Sequence, residues 1–163
     1  MDTVSSKTAM NSGSAVQSAQ RATAAVVYNG FLSYSHAADG RLAPVFQRSL
    51  QRFARPFWRI RALNIFRDNT SLSATPELWP SIKIALGQSE YFIFLASPTA
   101  SAAEWVLEEI DEWLQLHEQK AEKFIVVVTE GSICWNREEN DFDWGSTTAL
   151  PKRLSKVFRY EPL

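Results

Sequence analysis

Short apolar runs without polar alternation recur along this sequence, and they constrain its fold more than any other feature. The clearest runs cover residues 26–35, 62–66, 91–97 and 124–128. Strands that are apolar on both faces are typical of parallel sheets, which are covered by helices on both sides. Segments with helical spacing separate the runs. The sequence therefore predicts an α/β fold with a central parallel sheet.

The first run contains Asn29-Gly30, a pair that is typical of turns. The apolar pattern continues at Phe31, so we predict a strand from Gly30 onward with residues 26–28 as its lead-in. A polar loop is predicted at 36–40. The next segment predicts an amphipathic helix, because apolar residues recur in it at helical spacing. These residues are Leu42, Phe46, Leu50 and Phe53.

Two further helices are predicted downstream. Pro80 suits a first helical turn and Gly87 a C-terminal cap, with Ile82 and Leu86 facing inward. Ser101 and Glu104 have capping-box spacing, which predicts a helix to about residue 120. Its buried face would carry Val106, Ile110, Trp113, Leu114 and His117.

The run at 124–128 predicts a fourth strand, buried on both sides. A loop rich in Trp and Asp is predicted over 133–144, then a short helix at 152–156 and a last strand at 157–160. Residues 1–24 consist mainly of Ser, Ala, Thr and Gln, and they predict a disordered leader that matches neither a secretion signal nor a transit peptide. Residues 25–163 predict one domain.

Composition excludes several kinds of function. The 17 Lys and Arg residues are balanced by 18 Asp and Glu residues, so no basic field favours nucleic acid as a partner. A single cysteine, Cys134, precludes an internal disulfide, and two histidines are too few for the usual zinc sites. No apolar run approaches the roughly 20 residues of a membrane span. We expect a cytoplasmic, metal-free protein.

Three segments are predicted to meet at the carboxyl edge of the sheet, where ligands of such folds bind. They are residues 34–36, the loop at 67–79 and the start of the helix after Ser101. The loop at 67–79 is longer than most strand-to-helix connections, and long loops are often functional.

Trp105 and Glu109 are four residues apart, so they are neighbours on one flank of the predicted helix. A carboxylate held against an aromatic ring is partly desolvated, and it can stabilise positive charge such as that of an oxocarbenium-like transition state. Glu109 also belongs to an acidic run, Glu108, Glu109, Asp111 and Glu112. Acidic residues early in a helix often only complement its dipole, and this alternative stays open.

Four segments in this order resemble a known family. FLSYS at 31–35, IFRDNTSL at 65–72, FIFLASP at 92–98 and WVLEE at 105–109 are similar to the motifs of bacterial TIR (Toll/interleukin receptor/resistance) domains. The resemblance covers residues 28–128, with residues 129–163 as a C-terminal extension. It implies a flavodoxin-like three-layer fold with a five-stranded parallel sheet in the order 2-1-3-4-5.

The resemblance also implies an activity. Many bacterial members cleave the nicotinamide–ribose bond of NAD⁺, which is a substrate and not a cofactor. Glu109 matches the catalytic glutamate and Trp105 the tryptophan before it. Substrate contacts are implied for Tyr34, Ser35, His36, Arg67, Asp68 and Trp79. From the residues alone, His36 could equally be an exposed loop residue, Asp68 a turn former and Trp79 a core residue.

The first hypothesis is thus an NAD⁺ glycohydrolase that is activated by self-association with other TIR domains, in bacterial anti-phage defence or cell suicide. The second hypothesis is a non-catalytic scaffold that recruits other TIR domains. A third is an ADP-ribosyl cyclase or transferase. Residues 133–163 resemble the segment that precedes a further module in larger bacterial proteins, so we expect a sensor module to be missing through truncation.

Overall fold

Strands and helices alternate along the described part of the chain. The computed structural model describes residues 27–53, 63–67, 78–118 and 121–162. The strands are β1 (Tyr28–Ser33), β2 (Ile65–Arg67), β3 (Ser89–Ala96), β4 (Phe124–Val128), β5 (Trp135–Asn136) and β6 (Asp141–Phe142). The helices are α1 (His36–Asp39), α2 (Leu42–Phe53), α3 (Trp79–Gly87), α4 (Pro98–Ala102) and α5 (Glu104–Leu116), with a 3₁₀ helix at Lys152–Leu154. None of the helices in these ranges has the length and apolar character needed to cross a membrane.

The first four strands form a parallel sheet in the order β2-β1-β3-β4. Gly30 of β1 pairs with Ile65 on one side and with Tyr91 on the other, so β1 lies inside the sheet. This order confirms the flavodoxin-like α/β class. The prediction of a fifth parallel strand at 157–160 is wrong, because this segment consists of turns and bends. Strands β5 and β6 instead form a separate antiparallel pair.

Two apolar cores lie on opposite faces of the sheet. Alternation along β1 sends Phe31 to the face covered by α3 and α5, and Leu32 to the face covered by α2. The core on the α5 face is the larger, and its buried members on α3 and α5 are Ile82, Ala85, Leu86, Val106, Ile110, Trp113 and Leu114. The predicted inward positions of α3 and α5 are thus confirmed, except that His117 is only half buried.

Strand β4 is more exposed than its sequence predicts. Ile125 is 42% exposed and Val128 is 49% exposed, so the expectation of burial on both sides is wrong for this strand. The reason is its position, because β4 pairs only with β3 among the described strands. A continuous apolar run thus does not distinguish an edge strand from a central one.

The structure corrects one predicted loop and one predicted helix cap. The polar loop predicted at 36–40 contains the short helix α1, whose first turn is capped by the Ser35 hydroxyl. The capping box at Ser101 is absent, because Ala103 has an extended backbone (φ −76°, ψ 115°) that separates α4 from α5. Ser97 caps α4 instead and accepts a hydrogen bond from the Ala100 amide at 3.1 Å.

The ends of two helices also differ in detail from the predictions. Helix α3 ends at Gly87 as predicted, but Gln88 occupies the C-cap position. Helix α5 ends at Leu116 and not near residue 120, and His117 Nδ1 lies 2.9 Å from the Trp113 carbonyl oxygen. Residue 120 itself lies outside the described ranges.

The C-terminal extension, residues 129–162 of the described chain, is organised around the carboxylate of Asp141. This side chain is 3% exposed. Its Oδ2 accepts hydrogen bonds from the Ser155 hydroxyl at 2.6 Å and from Trp144 Nε1 at 3.0 Å, and its Oδ1 accepts one from the Lys156 amide at 3.0 Å. Burial acts to raise the pKa of Asp141, but these hydrogen bonds and the Phe142 amide outweigh it and lower the pKa to about 2.

The same extension packs onto the larger core. Phe142, Leu154 and Phe158 are buried in it, and the Phe158 ring contacts Phe124 of β4 with 5.8 Å between centroids. Gly131 allows the chain to enter the extension, because its φ of +84° is unfavourable for other residues and a Cβ there would lie 2.8 Å from Thr148 Oγ1. The extension therefore shares the larger apolar core with the sheet and α5.

We predict that Asp141→Asn lowers the free energy of unfolding by about 2 kcal/mol at pH 7, because buried donors lose a charged acceptor. The folded-state pKa is below the ordinary 3.8, so the stabilisation is complete above pH 4 and is lost as the pH falls towards 2. Urea unfolding at pH 7 and pH 2.5 measures this. The free energies of unfolding of Asp141→Asn and wild type should lie closer together at pH 2.5 than at pH 7. The exposed control Glu138→Gln should have the wild-type free energy of unfolding at both pH values. An equal loss at both pH values would contradict the prediction.

Candidate active site

Glu109 lies in the structure where helix α5 meets the end of β1. Its side chain is 2% exposed, and its Oε2 accepts a hydrogen bond from the Ser33 hydroxyl at 2.6 Å. Ser33 is the last residue of β1, so this contact lies at the carboxyl edge of a central parallel strand. This edge is where ligands of open α/β sheets bind.

The other acidic residues of α5 have different surroundings. Glu112 forms an ion pair with Lys83 at 2.7 Å, and Asp111 forms one with Arg153. Both pairs are partly open to solvent, and Glu108 is exposed. A role in complementing the helix dipole therefore suits these three residues better than Glu109. Glu109 is different because a buried carboxylate costs free energy unless it is hydrogen-bonded.

Trp105 and Trp79 are brought together in the structure. Trp79 begins α3, Trp105 lies in the first turn of α5, and their rings meet edge to face with 4.9 Å between centroids. Lys83 Nζ lies 5.3 Å from the Trp79 ring centroid. Trp105 Nε1 is buried and has no hydrogen-bond acceptor in the described structure. This N–H is one helical turn from Glu109.

Tyr34 and Arg67 lie on the opposite face of the sheet from Ser33. Tyr34 packs in the α2-side core, and its hydroxyl accepts a hydrogen bond from Arg67 Nη1 at 3.1 Å. Arg67 Nε also donates to Gln47 Oε1 at 2.9 Å, which ties β2 to α2. This separation from Glu109 follows from side-chain alternation along β1.

The remaining predicted contact residues are dispersed. His36 is exposed and lies against the Tyr34 ring at 4.6 Å between centroids. Ser35 is buried, and its hydroxyl accepts from the Ala38 amide at 3.4 Å. Asp68 lies outside the described residues. The structure thus brings Trp79 and Trp105 together, and it groups Tyr34, His36 and Arg67 separately.

Ser33 and Asp39 are two residues at this edge that the sequence analysis missed. Ser33 could have been found as a polar residue that shares the core-facing side of β1 with Phe31. Asp39 ends α1, is 4% exposed, and its Oδ2 has no hydrogen-bond partner in the described structure. Burial raises the pKa of Asp39 and the neighbouring Glu130 carboxylate raises it further, while a hydrogen bond with the Thr129 side chain offsets part of the rise.

No group of three or more His, Cys, Asp or Glu side chains in the described ranges is arranged to hold a metal ion. Glu109, with its serine partner and the adjacent tryptophan pair, forms the candidate active site.

Comparison with known proteins identifies the family. No protein-family model matches the sequence. The chain is 50% identical over 135 residues to the NAD(+) hydrolase ApTIR of Actinoplanes sp. (strain ATCC 31044 / CBS 674.73 / SE50/110), and this match covers 83% of the chain but 18% of that relative. It is also similar to the TIR domains of the activated Roq1 resistosome that directly recognises the pathogen effector XopQ, with 21% identity, a TM-score of 0.47, and coverage of 64% of this chain and 58% of the other.

The chain belongs to the bacterial TIR domains, as its motifs indicated. It spans less than a fifth of the length of the curated relative that it matches.

We predict that Asp39→Asn raises the Tm at pH 8, because it removes a carboxylate whose charge is disfavoured in the fold. The pKa of Asp39 in the folded state is raised, so wild type gains stability as the pH falls through that pKa towards 3.8. The difference in Tm between the variant and wild type should therefore be smaller at low pH. Thermal unfolding followed by circular dichroism at pH 8 and pH 4.5 checks this. A Tm below wild type at pH 8 would show that the carboxylate stabilises the fold, and a gain that is the same at both pH values would show that the charge of Asp39 is not its cause.

Proposed function

We propose that this domain hydrolyses the nicotinamide–ribose bond of NAD⁺ and that Glu109 is its catalytic residue. The observation that carries the proposal is a buried carboxylate, hydrogen-bonded to Ser33 at 2.6 Å, at the carboxyl edge of a parallel sheet. The name of the Actinoplanes relative, an NAD(+) hydrolase, supports the same activity for this chain.

The chemistry needs little more than a well-placed negative charge. The bond between the nicotinamide nitrogen and ribose C1′ breaks, and its electron pair neutralises the pyridinium, so nicotinamide leaves without a general acid. The positive charge that develops on the ribose is stabilised by the Glu109 carboxylate. Water then bonds to C1′ and releases a proton, which gives ADP-ribose. A desolvated carboxylate performs this role better than one in bulk water.

The tryptophan pair is the proposed contact for the substrate rings. Trp105 presents an indole N–H without an acceptor, and Trp79 presents an aromatic edge and face beside it. Substrate contacts by Tyr34, Ser35, His36, Arg67 and Asp68 belong to the same proposal. For Tyr34 and Arg67 these contacts require that the substrate extend past the edge of the sheet, because both pack on the α2 side.

Activation by self-association is part of the proposal, and the burial of Glu109 supports it. A carboxylate that is 2% exposed cannot reach a ribose unless the surrounding segments rearrange. In this proposal, association between TIR domains drives that rearrangement, because contacts made only in the assembly stabilise the open state. A bacterial defence role, in which NAD⁺ loss stops cell growth, would follow from this coupling, with the trigger supplied by a sensor module.

The two alternative functions make different demands on the site. A scaffold that only recruits other TIR domains has no use for a buried glutamate at the edge of the sheet. A cyclase differs from a hydrolase in the group that captures the ribose, because an adenine nitrogen would replace water. Both alternatives can be separated from hydrolysis by measuring nicotinamide release and by chromatography of the other product.

We predict that Glu109→Gln lowers the rate of nicotinamide release at least 100-fold, because an amide cannot balance the developing charge. The assay uses the purified chain with NAD⁺, with and without a fused oligomerisation tag. The matched control is Glu108→Gln, which makes the same change at an exposed neighbour on the same helix and should retain wild-type activity. Equal activity in wild type and Glu109→Gln would contradict the assignment of Glu109.

We also predict that the oligomerisation tag increases the rate per domain and that the product is ADP-ribose. The rate should rise with protein concentration in the untagged chain, because association is then the limiting step. Liquid chromatography with mass detection distinguishes ADP-ribose from its cyclic form. A rate per domain that does not change with concentration or tagging would remove self-association from the proposal.

A further inference from the structure

We infer that Ser33 is a positioning residue for Glu109, so that the reaction depends on a serine hydroxyl that does not itself touch the substrate. This inference rests on the proposed function and adds a second residue to it. Its basis is the hydrogen bond from Ser33 Oγ to Glu109 Oε2, which joins the first strand to the fifth helix across 76 positions of sequence.

The location of Ser33 is unusual for a hydroxyl. It is 1% exposed and shares the face of β1 with Phe31, whose ring is fully buried. Its partner across the sheet in β3 is Phe94, which is also fully buried. A hydroxyl in such surroundings costs free energy unless it is hydrogen-bonded, and the carboxylate of Glu109 supplies its acceptor.

The other buried serines of the described chain make bonds of a different kind. Ser89 donates to the Ala85 carbonyl oxygen at 2.7 Å, while Ser35 and Ser97 accept from the backbone amides of their own capped helices. Those bonds serve local backbone structure. The Ser33 bond instead ends on an ionisable side chain from a distant element, and its length of 2.6 Å is typical of charge-assisted hydrogen bonds.

The bond adds a restraint to one carboxylate oxygen of Glu109. Glutamate has three rotatable bonds, whereas Ser33 is held on a strand that is paired on both sides. Fixing Oε2 to this strand restricts both the position and the plane of the carboxylate. Electrostatic stabilisation of a developing charge depends on such preorganisation, and a displacement of about 1 Å can cost a factor of about 100 in rate.

The test compares Ser33→Ala with Ser89→Ala in the oligomerised chain. Each variant removes one buried hydroxyl from the sheet, but only the first removes a bond to Glu109. We expect Ser33→Ala to lower kcat by about 10- to 100-fold with KM within about twofold, while Ser89→Ala keeps wild-type kcat. Ser33→Thr, which retains the hydroxyl, should restore most of kcat. Thermal unfolding of each variant ensures that only folded protein is compared.

The outcomes separate this inference from the proposed function. If wild type and Glu109→Gln differ as expected but Ser33→Ala keeps full kcat, the positioning role is overturned and the activity stands. The positioning role is also overturned if Ser33→Ala and Ser89→Ala lose activity equally. It is overturned as well if Ser33→Thr folds but has the same low kcat as Ser33→Ala. If the threonine methyl group prevents folding, the comparison of the two alanine variants decides. Absence of nicotinamide release from wild type would overturn both proposals.

Discussion

Burial of the central parallel strands on both faces is the constraint from which the rest of the structure follows. Because β1 is paired on each side and covered on each face, the apolar residues from Phe31 onward alternate between the two cores. Phe31 and Ser33 face α5, whereas Leu32 and Tyr34 face α2. Alternation along one strand thus decides which polar groups near its end can meet the glutamate of α5.

The free-energy balance at the site explains its composition. Removing a carboxylate from water is unfavourable, and Glu109 is retained in a buried position with a hydroxyl at hydrogen-bond distance. Asp111 and Glu112, on the same helix, instead form ion pairs that are partly open to solvent. One acidic run therefore contains residues in two different physical states, and only the buried state suits stabilisation of a cationic sugar.

Sequence patterns predicted what depends on local periodicity. Spacing within one segment was enough to predict three features. They are the alternation of strands and helices, the core face of α5, and the placement of Trp105 and Glu109 on one flank of that helix. Tertiary context decides the features that were predicted wrongly. They are the interruption at Ala103, the exposure of β4, and the turns at 157–160 where a strand was predicted. The contact between Ser33 and Glu109 joins residues 76 positions apart, so no local pattern could indicate it. The substrate roles of Tyr34 and Arg67 stay predictions, and Asp68 lies outside the described residues.

The packing of the C-terminal extension has a consequence for where the folding unit ends. Motif similarity stops near Val128, yet Phe142 and Phe158 complete the hydrophobic wall that surrounds Phe124 and Trp113. A fragment that ends after β4 would lack Phe142 and Phe158, so Phe124 and Trp113 would lose part of their cover from water. An exposed apolar surface of this kind favours aggregation. The segment around Phe158 and the helix that holds the glutamate therefore share one set of packing contacts, so a substitution at either place changes the surroundings of the other.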